Sequence, residues 1–383
     1  MNAFINDLST FLPGQAVDNN SIDKYLGRVD RISARTRKMI LASNGIEKRH
    51  YAIHPETGAA THTNAQLAAE AVRGLRLWQE SPAHFFDCLC CGTSSPDQIM
   101  PGHASMVHGE LGIGPCELVS TAGICLTGIS ALKYAAMAIA LGQSQRAVAT
   151  GSELASSFMR ADFFQAAASE EKGEDSSEKH PAFSFAENFL RWMLSDGAGA
   201  MLLEQKPGSR LSLQIEWIEM LSQAHRLEPC MYTGCTKNVD GSLIGWREHV
   251  RHGQDYKSGV FTVKQDARLL NREVLPALVA DALPLLVQKY GLTADRVDWF
   301  LPHYSSEYFR PLLHEQLAKS GFPIPIERWF TNLKECGNTG SASFYIMLAE
   351  LCRSGCLSRG QKILGFIPES GRFSVGYILL TVV

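Results

Sequence analysis

Two segments of this 383-residue chain repeat one another at a nearly fixed distance. The first contains "DCLCCGTSS" (87–95), "GISALKYAAMAIALG" (128–142) and "RAVATGSE" (146–153). The second contains "DWFLPHYSS" (298–306), "GSASFYIMLAELCRSG" (340–355) and "QKILGFIPE" (361–369). Asp87 matches Asp298, Gly128 matches Gly340 and Gly142 matches Gly355, at offsets of 211, 212 and 213 residues. Few arrangements keep three landmarks in step over such a distance, and a duplicated unit is one of them. Each half reads as a helix, a short apolar strand with a polar tip, a loop, a helix apolar nearly all round, a Gly stop and a final strand. A helix without a polar face is a buried helix. Strand and helix alternate, which predicts an α/β protein with parallel, buried sheets. The expected halves are residues 1–206 and 207–383, joined near "LLEQKPGSRLSL" (202–213), where Pro207 and Gly208 mark a turn.

Composition narrows the function classes. The formal net charge is −3, with 45% hydrophobic and 20% charged residues, so no basic surplus points to nucleic acid. The opening "MNAFINDLST" lacks a basic region followed by an apolar run, and no apolar run approaches the roughly 20 residues that span a bilayer. The expectation is a cytoplasmic protein, without a membrane partner, whose ten cysteines are reduced thiols. Cys88, Cys90 and Cys91 cluster near His84, but they lie on a strand-like run whose side chains alternate between faces. They read as buried thiols, and "HVRH" (His249, His252) lacks an acidic partner, so no metal is expected. The charged stretch 169–181 reads as a surface insertion.

In a duplicated fold the matching loops of the two halves converge. The first half offers Cys125 at the threshold of its buried helix, in "TAGICLTG". The second offers Asn338 in "ECGNTGSAS", and His303 where the first half has Gly92. A thiol at a helix start meets unpaired N–H groups and a positive dipole, which predicts a lowered pKa and a nucleophile. Gly123, Thr127, Gly128 and Ser130 are small, leaving room for a thioester. Taken singly, Cys125 also reads as a structural thiol, His303 as a core histidine and Asn338 as a turn residue. Their convergence is what favours nucleophilic catalysis.

At these residues the chain resembles the thiolase-fold condensing enzymes, most closely the β-ketoacyl-acyl-carrier-protein synthase III family. "GIEKRHYA" (45–52), "PCELVSTAGICLTGISAL" (115–132), "SDGAGAMLLE" (195–204), "PH" (302–303) and "GNTGSAS" (337–343) carry the likeness over nearly the whole chain. The resemblance implies a duplicated five-layer αβαβα architecture, a homodimer, no cofactor, and acyl-CoA or acyl-carrier-protein thioesters as partners. It implies that Cys125 takes the acyl group while His303 and Asn338 donate hydrogen bonds to the second thioester's oxygen. It implies an oxyanion hole from the N–H groups of Cys125 and Gly371, the latter in "PESGRFSVG" (368–376). Glu369, at a position apolar in the family, is a candidate extra base, with a surface salt bridge as the alternative.

Departures from the family's pattern narrow this further. Met39 and Ser43 stand where the family's priming enzymes carry the Trp and Arg that clamp the adenine of coenzyme A, and Ser306 replaces an Asn. The chain thus resembles the specialised ketosynthase/cyclases that make dialkylresorcinols and isopropylstilbenes. A non-condensing acyltransferase, making an ester or amide, is the alternative. The apolar stretch 183–200 is a candidate acyl-tunnel wall or ordinary core. The basic stretch 28–38 is a candidate carrier-protein surface or a solvated face.

Overall fold

The computed structural model describes residues 2–28, 33–80, 86–162, 189–251 and 259–383. The insertion at 169–181, residues 183–188 of the apolar stretch, residues 29–32 of the basic stretch, His84 and His252 lie outside the described residues.

Nine strands among the described residues form one large sheet. They are β1 (Phe4–Phe11), β2 (Cys88–Thr93), β3 (Glu117–Ala122), β4 (Arg146–Glu153), β5 (Gly197–Glu204), β6 (Leu213–Ser222), β7 (Trp299–Pro302), β8 (Lys362–Glu369) and β9 (Ser374–Val382). Their order is β7-β8-β9-β6-β1-β5-β4-β2-β3. The two arms read alike from their outer ends inward. The first runs β2, β4, β5, β1 and the second β7, β8, β9, β6, and in each arm only the first pair is parallel. β3 lies outside β2, and Trp329 makes a parallel bridge to Phe300 at the matching place beside β7. β1 and β6 join the arms through Phe4–Gln214 and Ile5–Leu213.

The sheet is therefore mixed, where the alternation of elements predicts a parallel one. The reason is local. Strands linked through a helix cross over and run parallel, whereas β8 and β9 are separated only by residues 370–373 and must pair as a hairpin.

Seven helices complete the layers: α1 (Asn64–Arg73), α2 (His103–Leu111), α3 (Thr127–Ala140), α4 (Ala267–Leu275), α5 (Leu283–Tyr290), α6 (Phe309–Lys319) and α7 (Ser343–Arg353). α1 and α2 cover the outer face of the first arm, packing Leu67, Ala71 and Val107 on Leu89, Cys91 and Val148. α3 and α7 lie between the arms, with Leu132, Ile139, Phe344 and Leu348 against Cys88, Cys90, Ala149, Ile363 and Ile378. α4, α5 and α6 cover the second arm through Leu269, Leu286 and Leu313 on Phe300, Phe366 and Tyr377. This is the five-layer αβαβα thiolase fold. Cys88 and Cys90 face inward and Cys91 outward, as strand alternation requires. Between α4 and α5, Pro276 lacks the N–H a regular helix needs, and the backbone widens into a π turn over Pro276–Ala280.

Glycines let the two buried helices approach. A Cβ on Gly128 would sit 2.2 Å from the Ser341 carbonyl oxygen, and one on Gly151 2.4 Å from the same atom. Tyr345 Oη donates to the Gly128 carbonyl at 2.7 Å. Gly128 is small because the 340–342 turn leans on it, not to admit a substrate. Gly128→Ala is expected to destabilise the fold by about 1–3 kcal/mol through overpacking. Gly109→Ala, in α2 with nothing within 4 Å of the new Cβ, is expected to stabilise by about 0.5–1 kcal/mol. Urea unfolding of the two variants beside the wild type checks both signs.

Candidate active site

Cys125 lies in the turn between β3 and α3, two residues before the helix begins. Thr127 ties this turn, donating from N (3.2 Å) and Oγ1 (2.8 Å) to the Ile124 carbonyl. His303 directly follows β7, and its N–H continues the ladder to the Phe366 carbonyl at 2.8 Å. Asn338 follows Gly337, which adopts φ +70°. Its N–H donates to Met193 O (3.0 Å), and its carbonyl accepts from Ser195 N (2.9 Å). Its Oδ1 accepts from Gly340 N at 2.9 Å, so the side-chain NH2 is the group left to donate.

All three side chains wall one cavity of about 1010 Å3, at the top of the range for small-molecule sites. Glu153, Glu369 and Gly371 share that wall. The rest is largely apolar, with Phe158, Met193 and Leu194 on one side, and Leu270, Val274, Phe309 and Leu313 from α4 and α6 on another. Tyr232, Leu243, Trp246 and Phe261, from the segment after β6, close the cavity. Of the apolar stretch 183–200, Met193 and Leu194 reach the cavity while Leu190 and Trp192 are core.

Other sequence candidates fall elsewhere. Met39 is 61% exposed, and neither it nor Ser43 lines the cavity. Ser306 is fully buried and donates to the Ser43 carbonyl at 3.2 Å, a strut beneath the site. In the basic stretch, Arg37 is spent on Asp23 at 2.5 Å and lies over the Trp192 ring. His249 Nε2 sits 2.9 Å from Thr236 Oγ1.

The electrostatics depart from the sequence expectation. The Cys125 thiol is held above its ordinary pKa, first by burial, then by the Glu153 and Glu369 carboxylates. The lowered pKa predicted from the helix start fails first because burial disfavours the thiolate, and further because carboxylates face it. Glu369 Oε2 accepts from the N–H groups of Ile124 (3.1 Å) and Leu126 (3.3 Å), occupying the positive end of α3 with a negative charge. Burial raises the Glu369 pKa, partly offset by those two bonds. Among the described residues Glu369 makes no salt bridge; it is a half-buried carboxylate beside the Cys125 turn.

Glu153 is the wall residue that the sequence reading missed. Its carboxylate accepts from Ser94 N (2.9 Å), Ser94 Oγ (2.6 Å), Ser95 Oγ (3.0 Å) and Ser341 N (3.3 Å). It thus ties the tip of β2 to the Asn338 loop. The signal was available: an acidic residue at the carboxyl end of a buried strand, where α/β sheets place their sites. Burial pushes the His303 imidazole down to about 4, so it is neutral at physiological pH. The Gly371 N–H has no protein acceptor among the described residues, while its carbonyl accepts from Cys230 N (2.8 Å) and Met231 N (3.3 Å). That arrangement suits a donor waiting for a substrate oxygen.

Comparison with known proteins agrees with this picture. Residues 4–208 match the β-ketoacyl synthase N-terminal domain, and residues 287–371 match the 3-oxoacyl-[acyl-carrier-protein] synthase III C-terminal domain. The chain belongs to the β-ketoacyl-acyl-carrier-protein synthase III family. It is 26% identical to the β-ketoacyl-[acyl-carrier-protein] synthase III of Methylococcus capsulatus over 372 residues, 97% of this chain and 96% of that protein. Two solved structures share the fold: AbyA1, a tetronic acid condensing enzyme (TM-score 0.74, 22% identity, 99% of both chains), and OleA of Xanthomonas campestris (TM-score 0.74, 20% identity, 100% of this chain and 98% of that one). As a synthase III-type condensing enzyme the chain is an acyl-transferring enzyme. No helix among the described residues is long and apolar enough to cross a membrane.

A neutral His303 has a checkable consequence. With its pKa near 4, the folded synthase refuses a proton that the unfolded chain binds from about pH 6.5 downward. This site therefore withdraws stability as pH falls from 6.5 to 4. Long-range 1H–15N NMR is expected to show the His303 ring still neutral at pH 5.5. An imidazolium at pH 6 would contradict the burial argument.

Proposed function

We propose that Cys125 accepts an acyl group from a CoA or carrier-protein thioester and that the enzyme condenses it, Claisen fashion, with a second malonyl or β-ketoacyl thioester. The observation that carries this reading is the single cavity walled by Cys125, His303 and Asn338, two donors facing a nucleophile from the opposite half. In the first half-reaction Sγ attacks the thioester carbon. The oxyanion meets the N–H groups of Cys125 and Gly371, and the departing thiol leaves with the cysteine's proton. In the second, loss of CO2 from a malonyl unit, or transfer of an α-proton from a β-ketoacyl unit to solvent water, makes an enolate. The neutral His303 ring and the Asn338 NH2 donate to its oxygen. The enolate carbon attacks the acyl carbon, a C–C bond forms, and Cys125 is released as thiolate. The second half-reaction is what separates condensation from ester or amide formation, which needs no enolate donors.

The apolar walls support a hydrophobic acyl substrate. The departures at Met39 and Ser43 support a role in specialised metabolism, with ring closure to a cyclohexanedione, resorcinol or stilbene precursor. The shared strand order supports residues 1–206 and 207–383 as copies of one unit. Ten unpaired cysteines support a cytoplasmic setting. A homodimer is supported by β3, the outermost strand, whose far edge has no partner strand among the described residues and whose Leu118 is exposed, since bare edges invite pairing.

Intact-protein mass spectrometry after exposure to a panel of acyl thioesters tests the chemistry. The wild type gains one acyl mass and Cys125→Ala gains none. Asn338→Ala loads, but condenses at least about 100-fold more slowly; condensation at the wild-type rate would remove Asn338 from its role. In sedimentation, the wild type is expected as a dimer and Leu118→Lys as a monomer; a monomeric wild type ends the dimer proposal.

A further inference from the structure

The two N–H groups offered to the thioester oxygen sit on different halves of the chain. Cys125 belongs to the turn after β3, and Gly371 to the turn that β8 enters at Glu369. Something must fix their separation, because an oxyanion hole works only when both donors meet one oxygen. The direct hydrogen bonds between these turns, among the described residues, are those that Glu369 Oε2 receives from Ile124 N and Leu126 N, one residue to either side of Cys125. Glu369 is wedged in place. Its Oε2 lies 3.4 Å from where a Cβ on Gly123 would stand, and its Oε1 lies 3.4 Å from the same point on Gly371. A Cβ at either glycine would stand in ordinary van der Waals contact with the carboxylate.

We propose that Glu369 is a positioning residue rather than a proton acceptor: its carboxylate ties the Gly371 turn to the Cys125 turn and so sets the spacing of the two oxyanion donors. The inference rests on the reading of Cys125 as the acyl acceptor. Its Oε2 is engaged by two backbone donors, which hold the carboxylate between the turns, while Oε1 receives no hydrogen bond among the described residues, so the Gln variant below decides between positioning and proton transfer. What those donors need is an acceptor of the right reach, and the charge is a side effect with its own signature. The groups acting on Cys125 are Glu153, Glu369 and its own N–H; no cation among the described residues offsets the two carboxylates. Removing the Glu369 charge should therefore ease thiolate formation even as it disturbs, or spares, the geometry.

Three variants separate reach from charge and from proton transfer. Glu369→Gln keeps an acceptor oxygen at the same reach but cannot take a proton. Glu369→Asp keeps the charge but falls one methylene short. Glu369→Ala removes both. Each is measured for acyl loading of Cys125 by mass spectrometry, for condensation, and for the pH midpoint of Cys125 alkylation by iodoacetamide, with urea unfolding as a check on folding. The expected result is that E369Q loads and condenses close to wild type, while E369A and E369D load about 100-fold more slowly, as when one oxyanion donor is lost. The alkylation midpoint is expected to fall in E369Q and E369A and to stay high in E369D. Loading by E369A or E369D at the wild-type rate overturns the positioning role. An E369Q that loads normally but cannot condense assigns Glu369 as the proton acceptor instead. The alkylation arm needs no thioester, so it still reads the contact if the wild type fails to load, an outcome that would count against the acyl-acceptor reading alone.

Discussion

The contact on which the site depends is a backbone oxygen resting on two glycines. The Ser341 carbonyl from the second half lies where a Cβ of Gly128 or Gly151 would be, and the Tyr345 hydroxyl bonds the Gly128 carbonyl beside it. With any side chain at those positions the 340–342 turn could not sit down between α3 and β4. Its approach carries Asn338 to the wall of the cavity that Cys125 also lines, and Ser341 N reaches the Glu153 carboxylate at 3.3 Å. Close packing of this kind leaves little slack, since interiors pack as densely as organic crystals. The chemistry therefore inherits its geometry from a steric fit in the central layer.

Around that fit the protein buries charge of one sign. Glu153 and Glu369 both lie at the cavity wall, and both are held by N–H and hydroxyl donors rather than by cations. Burial raises both carboxyls, neutralises His303 and holds the Cys125 thiol protonated. A wall of this character is unfavourable to an anion. It becomes an anion acceptor where N–H groups remain unspent, at the Cys125 and Gly371 backbones and on the Asn338 side chain. The imidazole suits that scheme, because a neutral ring donates one hydrogen bond without adding a charge that would pair with the carboxylates.

Much of this was legible in the sequence because duplication leaves a ruler. Matching tips at Gly92 and His303, and matching helix starts near Gly128 and Gly340, brought Cys125, His303 and Asn338 together before any coordinates. Three things were not legible. Alternation of strands and helices does not state which neighbours in the sheet are sequential, so the hairpin of β8 and β9 and the antiparallel inner strands were missed. A glycine reads the same whether it makes room for a ligand or for another backbone, and Gly128 does the latter. The helix start alone argued for a reactive thiolate; burial of the thiol, and then the carboxylates of Glu153 and of Glu369, the latter 245 residues along the chain from Ile124, reverse the sign.

The turn that carries Gly371 shows how a free donor is maintained inside a crowded interior. Phe373 adopts φ 57°, a region that bulky residues enter at a cost of order 1–3 kcal/mol. It stays there because its side chain is fully buried and its carbonyl accepts from Gln223 N at 2.9 Å. The Gly371 carbonyl is held by two further N–H groups, and Glu369 pins the turn's other end to the Cys125 turn. The Gly371 and Phe373 carbonyls are thereby committed, while the Gly371 N–H is left without a protein partner among the described residues. An amide left so by its neighbours needs no reorganisation when an oxyanion forms, and that preorganisation is the larger part of what such a site contributes to rate.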